Sequence, residues 1–183
     1  TMKYPLIAAG LVATASMASA QDKPVLTVLT YDSFVSDWGP GPAVEAAFEE
    51  VCACDLQLIG AGDGAALLAR LKLEGARTDA DIVLGLDTNL TAAASATELF
   101  APHGQTADLS LPVDWQDATF LPYDWGYFAF VYDQTKLDSV PKSFDELANS
   151  GLKIVIQDPR SSTPGLGLLM WVQAAMGDKA TDT

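Results

Sequence analysis

Ser162-Thr163-Pro164 is the stretch of this sequence whose residue types and spacing point most directly to chemistry. Thr163 suits a helix N-cap, and Pro164 suits the first helical position, where its missing N–H is not needed. A helix that starts this way turns two hydroxyls and the amides of Gly165 and Leu166 toward an anion, and the helix dipole adds to the attraction. The chemistry would be capture of a phosphate oxygen, with no bond broken. The same residues also describe an ordinary capped helix that binds nothing. Asp63-Gly64 has a similar double meaning: an aspartate before a helix is a cap, and a glycine at a strand end lets backbone approach a ligand. Tyr31, Tyr123, Trp125 and Tyr127 offer aromatic faces for a flat heterocycle or a cation, although aromatics in strands commonly serve a core.

Catalytic groupings are sparse. His103, the sole histidine, lies in Ala101-Pro102-His103-Gly104, a solvated loop with no serine or cysteine nucleophile at a recognisable elbow. The sequence contains no Walker loop, no H-E-x-x-H and no Cys/His cluster, so neither an ATPase nor a metalloenzyme is expected. No cofactor and no metal ligand set is read from it. Cys52 and Cys54 are the only cysteines. A C-x-C disulfide closes a very small ring, and two free thiols are the alternative. Two ligands alone make no zinc site.

The elements that must position these residues follow from the hydrophobic pattern. Residues 25–30 read as a buried strand, 42–51 as a helix entered through Gly39-Pro40-Gly41, and 56–59 as a second strand. Asp63 caps a helix with Leu67, Leu68 and Leu71 on one face, and Gly75 is placed to end it. Residues 82–84 form a third strand, and the Ala-rich stretch 89–99 a helix. Strand and helix alternate from 25 to about 100, which predicts a parallel α/β sheet. Ligands bind beyond the carboxyl ends of such strands, here Tyr31-Asp32-Ser33, Gly62-Asp63-Gly64 and Gly85-Leu86-Asp87. Residues 120–133 are expected to form one long aromatic strand bridging two lobes. Ser143-x-x-Glu146 is a capping box, 153–156 another strand, and Pro164 through Met176 a helix.

Met2-Lys3-Tyr4, an apolar stretch from Leu6 to Met17 and Ala18-Ser19-Ala20 make a secretory signal peptide, with cleavage expected after Ala20. Its apolar run falls short of the roughly 20 residues of a membrane span. No cysteine adjoins the junction, so the mature chain is expected free in a Gram-negative periplasm. The 10 basic and 24 acidic residues give a net charge of −14. That charge argues against nucleic acid and anionic membrane as partners and mildly favours a cationic ligand.

The segments 23–28, 30–34, 37–42, 81–87 and 157–167, with the Cys52-x-Cys54 pair, resemble the thiamine-binding proteins of bacterial thiamine ABC transporters, within the periplasmic solute-binding family. The resemblance runs from about Lys23 to Gly177. It implies a two-lobed α/β fold of the type 2 periplasmic-binding-protein kind. The signal peptide would be 1–20, the first lobe 21–122, and the crossover strand and an incomplete second lobe 123–183. It also implies capture of thiamine, thiamine monophosphate or thiamine diphosphate by a monomer that delivers to an inner-membrane permease and its ATPase. Asp63, Gly64, Ser162 and Thr163 match ligand-contact positions, and Tyr31 a position near the cleft. Family members continue well past Thr183, so this stretch alone is expected to bind thiamine weakly or not at all. A ferric-ion or polyamine binder of the same fold is the alternative; a secreted phosphate-ester hydrolase with Ser162 as nucleophile is a further one.

Overall fold

In the computed structural model the described residues are 23–106 and 110–182. The expected leader and its cleavage point lie outside them. The β-branched run Val25–Thr30 becomes the central strand β1 of a three-stranded sheet. On one side it pairs in parallel with β2 (Asp55–Gly60), in register from Val25 opposite Asp55 to Thr30 opposite Gly60. On the other it pairs in parallel with β3 (Ile82–Val83). The order β2-β1-β3 brings all three carboxyl ends to one edge, as the alternation of strand and helix predicts.

Four helices connect these strands or follow them closely. A single turn, α1 (Asp32–Val35), buries Phe34. It was not expected from the pattern. Helix α2 (Gly41–Cys52) ends at Ala53, whose φ of 53° is left-handed. A disulfide between Cys52 and Cys54 spans that residue, deciding between the two alternatives for the cysteines. Helix α3 (Gly64–Glu74) follows expectation closely. Asp63 caps it, Leu67, Leu68 and Leu71 are buried along one face, and Gly75 at φ 56° ends it by donating its N–H to the Leu71 carbonyl. Leu67 and Leu71 pack on Leu29 of β1, with Ile59, Val83 and Phe100 around them. Burial of side chains of this size stabilises by about 1.5–3 kcal/mol each.

The Ala-rich stretch 89–99 yields only the short α4 (Thr91–Ser95). Thr97 stops it: its hydroxyl donates back to the Ala94 carbonyl at 2.6 Å, and Glu98 turns to φ 56°. Neither 120–133 nor 153–156 is a strand. A strand exists only through a partner's ladder of hydrogen bonds, and among the described residues no neighbouring strand pairs with either segment. Tyr127, Val131 and Val155 in these segments are exposed.

Beyond this point the capping box forms, opening α5 (Phe144–Ala148): Ser143 Oγ accepts from the Glu146 amide at 3.1 Å. The return bond differs from the usual box, because Glu146 Oε2 accepts from the amide of Lys142. Helix α6 (Thr163–Met176) rests on the aromatic segment. Trp171 packs on Phe130 and Phe144 at ring separations of 6.0 and 5.1 Å, and Gly167 lies against the Phe128 ring, where a Cβ would collide. Among the described residues no helix is long and apolar enough to cross a membrane.

Candidate functional site

The loops leaving β1, β2 and β3 are tied together before any ligand arrives. Asp32 donates its N–H to the Gly62 carbonyl at 2.8 Å, and its carboxylate accepts the Gly62 N–H at 2.9 Å. The Tyr31 ring lies against Gly85, a residue at φ 111° whose missing Cβ leaves room for it. Any side chain there would meet the ring and also strain the backbone. The ring of Tyr31 stands edge-on to buried Phe34 at 5.6 Å, and Phe34 meets Tyr123 in the same way at 5.8 Å. Burial raises the Tyr31 phenol above its ordinary pKa of 10, and the Asp124 carboxylate, then Tyr123 and Asp63, push it the same way. The edge of the sheet is thus aromatic and negatively charged.

Onto this edge comes the start of α6, one hundred residues downstream of Asp63. The Thr163 N–H donates to Asp63 Oδ2 at 2.9 Å, and the Thr163 hydroxyl to Asp87 Oδ2 at 2.8 Å. Asp63 acts on both elements at once, because its other carboxylate oxygen accepts the Gly64 N–H at 2.9 Å. Close approach depends on Gly64: a Cβ there would sit 2.8 Å from Thr163 Oγ1 and 3.1 Å from the Gly85 carbonyl. The cap itself is displaced by one residue from expectation. Ser162, extended at φ −111° and ψ 132°, is the N-cap, so Thr163 is the first helical residue and Pro164 the second. The serine takes this role because its hydroxyl oxygen reaches the Gly165 N–H, at 3.4 Å, while Thr163 turns its own toward Asp87. Its proton goes to Gln157 Oε1. The amides expected to face a phosphate are therefore engaged, Gly165 on Ser162 Oγ and Leu166 on the Ser162 carbonyl.

Tyr31, Asp63, Gly64, Ser162 and Thr163, which lie far apart in the sequence, come together at this one edge. Asp87 and Gln157 belong beside them and were missed. Asp87 stood in a strand-end motif, but nothing in a sequence pairs it with a hydroxyl 76 positions away. The remaining aromatics divide: Tyr123 backs Phe34, whereas Trp125 and Tyr127 stack edge-on with each other at 5.5 Å. His103 is not simply a solvated loop residue. Its ring accepts from the Gln105 amide at 2.9 Å and meets the Asp117 carbonyl at 3.0 Å, pinning two loop segments together. Arg160 is committed to Asp158 at 2.6 Å, and this guanidinium holds the Asp158 carboxyl at a pKa of about 2. The Ser162 hydroxyl thus donates to an amide oxygen and not to a carboxylate or imidazole, and Arg160 is already paired.

Comparison with known proteins bears on the family and the fold. The chain is 55% identical over 166 residues to a thiamine-binding periplasmic protein of Salmonella typhimurium, covering 89% of this chain and 51% of the relative. It is 56% identical over 161 residues to the protein of that name from Escherichia coli, covering 86% of this chain and 49% of the relative. A solved structure of a periplasmic thiamin binding protein superposes with a TM-score of 0.84 at 53% identity, over 94% of this chain and 54% of that one. The α/β fold is therefore that of a periplasmic solute-binding protein. The chain spans about half the length of the curated relatives it matches. Residues 78–182 match the family described as bacterial extracellular solute-binding protein, and the chain belongs to that family.

Proposed function

We propose that this chain forms the first lobe and the beginning of the second in a two-lobed, type 2 solute-binding protein that captures thiamine and its mono- and diphosphate for an ABC importer. The first lobe spans residues 21–122, and 123–183 cross into the second. The segments 120–133 and 153–156, which pair with no strand among the described residues, suit strands of a lobe completed by further chain, as the greater length of the relatives allows. Export through a cleaved leader at 1–20 would place the protein in the periplasm, as a monomer that presents its loaded form to the permease and its ATPase.

The observation that carries the reading is the convergence of Tyr31, Asp63, Gly64, Ser162 and Thr163 at the carboxyl edge of the sheet. Aromatic faces backed by carboxylates suit a flat, positively charged heterocycle such as the thiazolium of thiamine. The start of α6 would hold the phosphate of an ester, with the phosphate taking the place of the Asp63 carboxylate on Thr163. Capture consists of binding followed by closure of the lobes about a hinge, and no bond is broken. With Ser162 committed to Gln157, and Arg160 to Asp158, nothing in the site favours the hydrolase reading.

The test is calorimetric titration of the full-length gene product, refolded to strip bound ligand, with thiamine and thiamine phosphate. It is repeated on the double variant Ser162→Ala, Thr163→Ala. Both ligands should bind, and the double variant should weaken the ester more than thiamine. Absence of heat with either ligand refutes the thiamine reading, and ferric ion and polyamines become the ligands to titrate next.

A further inference from the structure

We propose that the amino-terminal edge of the sheet carries a second ligand site, remote from the carboxyl edge, that takes a small zwitterion with an apolar body, such as a free α-amino acid with an apolar side chain. The inference goes beyond the proposed function and does not rest on it.

A cavity of about 400 Å³ opens between β1, β2 and the last turns of α3. Pockets that hold small ligands run from roughly 300 to 1,000 Å³. Its floor is Leu29 and Ile59, which pair across β1 and β2, and Leu73 of α3 adds an apolar wall that is 81% exposed. The facing wall is the 3-10 turn Gly75–Arg77 and the loop that leads from it into β3. That loop is fixed by protein bonds. The Thr78 N–H donates to the Gly75 carbonyl at 3.2 Å. The Asp81 N–H donates to the Thr27 carbonyl, and the Asp81 carboxylate accepts the Thr27 N–H, both at 2.9 Å. Helix α3 runs here from Gly64, so its 11 residues put the cavity roughly 16 Å from the carboxyl edge at about 1.5 Å per residue.

Charge decides what the cavity can take. Arg70 and Glu74 line it and are already matched to each other at 2.7 Å. Arg77 and Asp79 line it too, and among the described residues neither side chain is paired with the other or with any third group. Of the arginines Arg70, Arg77 and Arg160, only Arg77 lacks a carboxylate partner there, in a chain of 24 acidic and 10 basic residues. A guanidinium fork takes a carboxylate through two parallel N–H bonds, and a carboxylate accepts from an ammonium. Two opposite charges held apart beside one apolar floor complement a zwitterion. A simple anion would meet the Asp79 and Glu74 carboxylates, and a simple cation the Arg77 guanidinium. The ligand's carboxylate therefore goes to Arg77, its ammonium to Asp79, and its apolar side chain onto Leu29, Ile59 and Leu73.

The experiment follows the backbone amides of the full-length product by NMR as leucine is added, with thiamine absent and then saturating. The amides of Arg77, Thr78 and Ala80 should shift, with the same leucine affinity under both conditions. Leucinamide lacks the carboxylate and 4-methylpentanoate the ammonium, so each should bind about two- to fivefold more weakly than leucine, the range of one charge pair at an exposed site. Arg77→Gln should abolish the advantage of leucine over leucinamide, and Asp79→Asn its advantage over 4-methylpentanoate. Both side chains are exposed and unpaired, so urea stability and thiamine affinity should stay at the parent's values in each variant. Amides unmoved at tens of millimolar leucine, or shifts centred on Tyr31, Asp63 and Ser162, overturn the inference. Equal binding of all three probes overturns it as well, because contact with the apolar floor alone would then account for the signal. None of these outcomes bears on thiamine binding, which is read by its own titration.

Discussion

Gly64→Ala probes the junction between α3 and α6 with one methyl group. A Cβ at Gly64 would lie 2.8 Å from Thr163 Oγ1, 3.1 Å from the Gly85 carbonyl and 3.1 Å from Leu90 Cδ1. Ordinary van der Waals contact starts at 3.4 Å, so the threonine oxygen must retreat by about 0.6 Å. The retreat stretches its 2.8 Å bond to Asp87 beyond useful length and drags on the Thr163 amide bond to Asp63. Losing one hydrogen bond to a charged group costs about 1.5–3 kcal/mol. Replacing glycine by alanine at a compatible backbone position returns about 0.4–1 kcal/mol through the unfolded chain. The net expectation is a destabilisation of about 1–2 kcal/mol, read by urea unfolding of the full-length product, together with at least tenfold weaker thiamine binding. If Gly64→Ala leaves both stability and thiamine affinity at the parent's values, the α3–α6 junction does not exist in solution as described.

Tyr31 should ionise above the ordinary tyrosine pKa of 10, because burial disfavours its phenolate. Its raised pKa means that the stability it contributes is fully present below pH 10 and lost as pH rises through the folded value. Absorbance titration should lose a step above pH 10 in Tyr31→Phe, and an unchanged curve contradicts the burial argument. The Asp158 carboxyl should titrate near 2 by NMR and move up toward the ordinary carboxylate value of 3.8 in Arg160→Gln. With a depressed pKa, its contribution is present above pH 3.8 and lost as pH falls through about 2. The pair is exposed, so urea stability at pH 7 should barely change in the same variant. Removing the disulfide by Cys52→Ala with Cys54→Ala should cost no more than about 2 kcal/mol, because the bond closes a loop of only two residues' separation and restricts the unfolded chain little. A loss of 4 kcal/mol or more in urea unfolding would show that the bond supports something beyond its own turn.

Sequence alone determined the parts whose cause is local. The run Val25–Thr30, the leucines of α3, its Asp63 cap and its Gly75 stop each encode their element within a few residues, and the parallel sheet follows from their alternation. Side-chain chemistry also marked Ser162-Thr163 and Asp63-Gly64 separately as able to hold a ligand, although the cap fell on Ser162 and not on Thr163. Tertiary structure decided what depends on partners distant in the chain. Residues 120–133 have the composition of a strand but no paired neighbour among the described residues, and composition cannot supply the other half of a ladder. Whether Cys52 and Cys54 bond depends on how the chain turns at Ala53. The pairing of Thr163 with Asp63 and Asp87 belongs to the same class. A hydrogen bond between groups 100 and 76 residues apart is set by where β2, β3 and α6 end in space, and no periodicity or propensity encodes that distance.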